Sequence, residues 1–161
     1  MNRAMLFVLS GSLAGAAWAA ELPKRAPGLW EEQFSSSAAP GLSTTRTCVD
    51  EKLTNFLMTM GKCSTEEVRR DGARYVVEAV CKQGDATIRT RTVVTGDLRQ
   101  AYTAEMTTTQ EPASANAEQS RVVVKGRHLG PCPSGMRGGD MIAPDGSRMN
   151  FYDLDKKGPG N

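Results

Sequence analysis

The chain has a single histidine, His128, and that scarcity narrows its chemistry before anything else is considered. A Ser-His-acid triad needs a histidine at its centre, so His128 is the sole candidate base for one. Charge of one sign is also missing, because 20 lysines and arginines stand against 18 acids for a net charge of +2. Arg69, Arg70, Arg89, Arg91, Arg121 and Arg127 are dispersed among Thr and Glu. Phosphate neutralisation needs a basic patch or stripe, so this pattern argues against nucleic acid as a partner. There is no CxxC, and one histidine offers little nitrogen ligation, so no zinc pattern forms. GDATIRT and RGGD lack the continuation that a P-loop or a dinucleotide-binding glycine fingerprint requires. Adjacent acids such as Glu31 and Glu32, or Glu66 and Glu67, point to opposite sides of a strand and cannot act as a carboxylate pair. No catalytic residue, cofactor site or metal site is expected.

Long apolar runs are absent too, except at the start. Arg3 supplies a positive charge, AMLFVLSGSLAGAA is apolar, and Ala17-Trp18-Ala19 fits the small-x-small rule for signal peptidase. Residues 1–19 are therefore expected to be a signal peptide cleaved after Ala19. The apolar run is short for a membrane span, which needs about 20 residues, and no cysteine sits near the cut to carry a lipid anchor. Removing Arg3 and no acid lowers the net charge to about +1. The mature chain is expected to be exported, soluble and periplasmic, with no membrane span and one domain's worth of core.

Cys48, Cys63, Cys81 and Cys132 make an even set in an oxidising compartment, which predicts two disulfides. The elements between them read mainly as strands. PGLWEEQF (27–34) is a first strand with Leu29 and Phe34 inward around Trp30, SSSAAPGLS a loop, and TTRTCV a second strand. DEKLTNFLMTMG (50–61) changes period. Asp50 is an N-cap, Leu53, Phe56, Leu57 and Met60 recur at helical spacing, and Gly61 ends the helix. From Cys63 onward, strands alternate with turns at Asp71-Gly72, Lys82–Asp85 and Gly96-Asp97, and the last long strand is SRVVVKGRHL after the polar loop EPASANAEQS. The expected fold is mainly β: a single-domain antiparallel meander forming a curved sheet or incomplete barrel, with one short α-helix over one opening. Cys63 and Cys81 lie nearly symmetric about Asp71-Gly72, so a hairpin sets them nearly opposite, which leaves Cys48 for Cys132. The alternative pairing, Cys48 with Cys63 and Cys81 with Cys132, stays open.

In order along the chain, PGLWE, RTCVDEK leading into a helix, a second cysteine opening a hairpin, a third closing it after Tyr75, and RHLGPC resemble the bacterial DUF3617 proteins. The resemblance spans about Arg25 to Cys132, with Tyr75 where many members carry Trp. It implies an exported bacterial protein and brings no catalytic residue with it. Domains are accordingly expected at 1–19 (signal peptide), 20–132 (the DUF3617-like β domain) and 133–161. The last is a Gly/Pro-rich tail expected to dock through Leu154, with DKKGPGN disordered.

His128 shares a strand face with Val122, Val124 and Gly126, which predicts a partly buried structural histidine. A Cys132–His128 catalytic pair would need a free thiolate, which a disulfide forbids. The function expected is non-catalytic binding of a small apolar or amphipathic ligand on a concave sheet face. The alternative is an interaction module for an envelope protein, using strand edges or the tail. A third reading is copper handling by Met136, Met141 and Met149 with His128, because thioethers suit Cu(I).

Overall fold

The computed structural model describes residues 20–53, 63–112 and 120–153. Strands dominate: β1 (Gly28–Ser36), β2 (Ala39–Val49), β3 (Cys63–Asp71), β4 (Arg74–Gln83), β5 (Ala86–Gly96), β6 (Ala101–Glu111), β7 (Ser120–Gly130), β8 (Asp140–Ile142) and β9 (Arg148–Asn150). They form one antiparallel sheet, ordered β3-β4-β5-β6-β7-β1-β2-β8-β9, which does not close. β3 to β7 are a plain meander. The β1–β2 hairpin then returns to lie beside β7, so residues from the start of the chain occupy the middle of the sheet.

One face is apolar because period-2 alternation puts most of the bulky residues of the central strands on one side, with Val76, Val93 and Val123 sharing a row on the other. Trp30 is fully buried there with Val49, Val94, Tyr102, Ala104 and Val124, and Leu53 and Leu98 join them from the connections. This is the inner face. Residues 20–26 close one end of it. Ala20 N–H donates to the Val68 carbonyl at 3.0 Å and Ala26 N–H to the Leu98 carbonyl at 3.1 Å, while Leu22 and Ala26 pack on the core.

Two expectations are corrected here. The SSSAAPGLS loop does not form; the chain turns at Ser37-Ala38 and β2 already begins at Ala39. The turn is held from outside, since Ser37 N–H donates to the Arg121 carbonyl and Ser37 Oγ accepts from Arg121 N–H, each at 2.9 Å. Pro40, which has no N–H, is tolerated because β2 has no outer neighbour there among the described residues. The second correction concerns β1. Trp30 faces the core with Glu32 and Phe34, and Leu29 faces the other way with Glu31, because the burial alternates from Gly28 onward.

The helix expected over 50–61 falls almost wholly outside the described residues. Within the described residues, 51–53 form a turn in which Asp50 accepts backbone N–H bonds from Lys52 at 3.1 Å and Leu53 at 3.0 Å. The one short helix described is a turn at 151–153. Leu154 and DKKGPGN likewise lie outside the described residues.

The segment after Cys132 joins the same sheet. β8 pairs with β2 at Arg46 and Thr47, β9 pairs with β8, and Gly139 N–H donates to the Cys48 carbonyl at 2.8 Å. Phe151 and Tyr152 pack on the core, and the Tyr152 hydroxyl donates to Asp50. Disulfides join Cys48 to Cys132 and Cys63 to Cys81, not the alternative pairs.

Burial works against the Asp50 charge, but hydrogen bonds from Tyr152, Leu53 and Lys52 outweigh it and hold the carboxyl below its ordinary 3.8. The same contact, with burial, pushes the Tyr152 phenol up to about 12. A carboxylate depressed on folding stabilises above its unfolded pKa, and that stability is lost as pH falls through the folded value. Protection of the β8 and β9 amides against exchange should therefore fall on acidification below 3.8, and Asp50→Asn should reduce that pH dependence, leaving the part set by Asp140, which is also lowered.

Loop-closure entropy gives a second expectation. Replacing Cys48 and Cys132 with Ser, which opens a separation of 84, should cost about 4.5 kcal/mol in urea unfolding. The same change at Cys63 and Cys81, a separation of 18, should cost about 3 kcal/mol.

Candidate functional site

At the closed end of the inner face, a charged side chain sits where the alternation calls for an apolar one. Glu32 is buried between Trp30 and Phe34 on β1. Leaving water costs a lone carboxylate far more than packing returns, so it must be paired. Arg25 supplies the charge, Nη1 donating to Glu32 Oε1 at 2.7 Å with side-chain exposures of 3% and 6%. Arg25 Nη2 also donates to the Leu53 carbonyl at 3.2 Å, and its guanidinium lies 5.8 Å from the Trp30 ring centroid. The Tyr102 hydroxyl donates to the same Glu32 oxygen at 2.5 Å, and Thr47 Oγ1 reaches Oε2 at 3.5 Å.

The register explains how Tyr102 gets there. Tyr102 on β6, Gly126 on β7, Glu32 on β1 and Thr45 on β2 form one row across the sheet. Only a residue without a side chain leaves room between Tyr102 and Glu32, because a Cβ on Gly126 would stand 2.1 Å from Tyr102 Cε1. Burial and then the Glu32 charge push the Tyr102 phenol far above its ordinary 10.0, so it remains a hydrogen-bond donor.

Toward the other end, the inner rows open out. Tyr75, Val94, Ala104, Val124 and Phe34 make one row, and Val77, Thr92, Met106, Val122 and Ser36 the next. Beyond these come Ala79, Thr90, Thr108 and Ser120. Thr92, Met106, Val122, Thr90 and Thr108 are half-buried. The face thus grades from a buried apolar core, through half-buried apolar side chains beside the buried Val77 and Ala79, to the hydroxyls of Thr90, Thr108 and Ser120. Thr45 Oγ1, at the β2 side, is buried and has no hydrogen-bond partner.

The outer face differs in kind. Glu31 is held between Arg46 Nη2 at 3.1 Å and Arg127 Nη2 at 3.0 Å, and Arg127 first, then Arg46, lowers its pKa. Arg121 pairs with Glu105 at 2.6 Å and Arg91 with Glu78. A shallow groove of about 320 Å³ there is lined by Glu67, Glu78, Arg89 and Arg91. Of the arginines singled out in the sequence, Arg69, Arg89, Arg91, Arg121 and Arg127 reach neighbouring acids, while Arg70 donates to the Gly72 carbonyl and lies over the Tyr75 ring, which leaves no basic stripe among the described residues.

His128 ends β7 on the inner side. Its Nε2 lies 3.0 Å from the Pro27 carbonyl and its ring centroid 5.4 Å from that of Trp30. No serine or acid completes a triad there among the described residues, and Cys132 is bonded to Cys48. Met141 and Met149 are cross-strand partners. His128, Trp30, Thr47 and Met141 follow one another on adjacent strands, so His128 and Met141 stand roughly 14 Å apart at the usual strand spacing. At that spacing the two do not stand side by side on the sheet.

The Arg25–Glu32–Tyr102 cluster was absent from the sequence reading. The signal was there, since Glu32 alternates with Trp30 and Phe34, and a charge on that face calls for a buried partner.

Residues 25–132 match the family model described as a protein of unknown function, DUF3617, and the chain belongs to that family. No curated protein and no solved structure matches it. Among the described residues, no helix is long and apolar enough to cross a membrane.

The buried pair predicts an asymmetry in mutants. Glu32→Ala strands the Arg25 charge and should cost about 3–5 kcal/mol in chemical unfolding, whereas Arg25→Met combined with Glu32→Leu should cost far less. Tyr102→Phe should cost about 1–3 kcal/mol by leaving a Glu32 oxygen short of a donor.

Proposed function

We propose that this DUF3617 protein is an exported, periplasmic, non-catalytic binding domain whose concave face takes a small apolar or amphipathic molecule. The observation that carries this reading is the gradient along that face. Among the described residues, Phe34, Met106 and Val122 continue the core cluster as half-buried apolar surface, beside the buried Val77 and Ala79 and bordered by Thr90, Thr92 and Thr108. Ligand sites are concave and mostly apolar, with a few polar groups that orient the occupant, and this gradient matches that description. Export is supported by the leader-like residues 1–19 and by two disulfides, which persist in oxidising compartments.

The absence of a catalytic role rests on how the polar groups are used. Arg25, Glu32 and Tyr102 satisfy one another in the interior, and His128 is engaged with Pro27, so each is committed to structure. A second reading, an interaction module, draws on the part of the β2 edge that has no outer neighbour among the described residues.

The test uses the disulfide-intact mature protein with 1-N-phenylnaphthylamine, a neutral apolar fluorophore. Emission should rise on binding and saturate. Met106→Asp or Val122→Asp should weaken binding roughly tenfold or more, about 1.4 kcal/mol per decade, with the fold kept by circular dichroism. Binding unchanged in both variants would remove the concave face as the site.

A further inference from the structure

A sheet that does not close must protect its edges, since unpaired backbone groups are templates for another strand. Two of the edges in this sheet are guarded. β3 carries Glu67, Arg69, Arg70 and Asp71, and Ala20 already bonds its Val68 carbonyl. β9 is only three residues long. The third edge is unlike both. β2 has 11 residues, but β8 pairs with only Arg46 and Thr47, so its first part has no outer neighbour among the described residues. That stretch, Ala39 to Thr45, contains no charge, and its Leu42 is 76% exposed, the most exposed large hydrophobic residue described.

We infer that the outer edge of β2 from Gly41 to Thr45 pairs with the same edge of a second copy of this chain, antiparallel about a two-fold axis at Ser43. The alternation of the backbone fixes this register. The Cys48 carbonyl faces outward, accepting from Gly139 N–H at 2.8 Å. Steps of two along the strand therefore turn the backbone groups of Arg46, Thr44 and Leu42 outward as well.

About an axis at Ser43, Leu42 meets the partner's Thr44 and Thr44 meets the partner's Leu42, so every outward N–H and C=O between them finds a complement. The two Ser43 residues become a non-hydrogen-bonded pair, where side chains approach most closely. On the outer face each Leu42 lies against the partner's Thr44 and diagonal to the partner's Leu42, within side-chain reach. Charge permits the match. Ser35 and Gln33, the β1 neighbours of Leu42 and Thr44, are uncharged, so no like charges meet across the axis. Such an interface is isologous and closes on itself, giving a dimer and not a fibre. Pro40, which cannot donate, limits the paired length on one side, and β8 limits it on the other.

The test is sedimentation of the disulfide-intact mature protein from micromolar to near-millimolar concentration, beside Leu42→Lys and two single-cysteine variants. The wild type should show a monomer–dimer equilibrium, and Leu42→Lys, a change at an exposed site that places a charge on the edge, should stay monomeric with unchanged circular dichroism. Ser43→Cys should cross-link to a covalent dimer under mild oxidation, and Thr95→Cys, exposed on the central strand β5, should not. A wild type that stays monomeric throughout, a dimer that survives Leu42→Lys, or Ser43→Cys cross-linking no faster than Thr95→Cys would each overturn the inference.

Discussion

The structure hangs on one buried ion pair. Glu32 sits on the inner face of β1 at the middle of the sheet, and everything around it is arranged so that its charge can stay there. Arg25 must come in from the segment ahead of β1, which draws residues 20–26 across the open end of the core. Tyr102 must reach over β7, which requires glycine at 126. The Leu53 carbonyl accepts from the arginine's Nη2 and so ties down the exit from β2. A hydrophobic pair of the same volume would pack as well, but it would not dictate which three segments converge. The pair acts through geometry more than through net energy, since desolvation offsets most of its attraction.

From that fixed end, the two faces divide the work. The outer face carries its charge as cross-strand pairs, with Glu31, Glu78 and Glu105 each answered by arginine. Exposed pairs of this kind add little stability each, but they keep a broad surface hydrated without a field of one sign. The inner face is left to apolar groups and hydroxyls, so the two sides of one sheet present different solvents to whatever approaches them. Cys48–Cys132 and the β8–β9 hairpin then extend the sheet beyond the region matched by the family, with Tyr152 anchored on Asp50 of the RTCVDEK stretch.

Much of this was legible from residue order. The alternation in β4, β5 and β7, the turns at Asp71-Gly72, Lys82–Asp85 and Gly96-Asp97, and the symmetry of Cys63 and Cys81 about the first turn all follow from local rules that tertiary contacts do not overturn here. β1 was harder. With Trp30 and Leu29 adjacent, both faces carry a large apolar residue, and local pattern cannot choose between them. What decides is Arg25, whose partnership with Glu32 is a tertiary fact. The Ser35–Ser43 stretch misled for a related reason, because Ser, Pro and Gly mark a loop only when nothing outside supplies hydrogen bonds, and Arg121 supplies them. Residue order placed Gly126 only on the strand face of Val122, Val124 and His128, and the ring of Tyr102 lying over it gives it its role. The inner rows could not be assembled without the register.

The position of the first hairpin also sets the order in which the fold can be completed. β1 and β2 are made early, yet β1 leans on β7, and β2 on β8, strands that follow much later in the chain. A lone two-stranded hairpin is marginal in water, and contacts between distant segments are slow to form. A chain emerging amino end first therefore reaches β7 before its opening hairpin has anywhere to settle. The meander β3 to β7 can assemble as it appears, but the central seam of the sheet closes last, so the nascent polypeptide stays pliable for most of its synthesis.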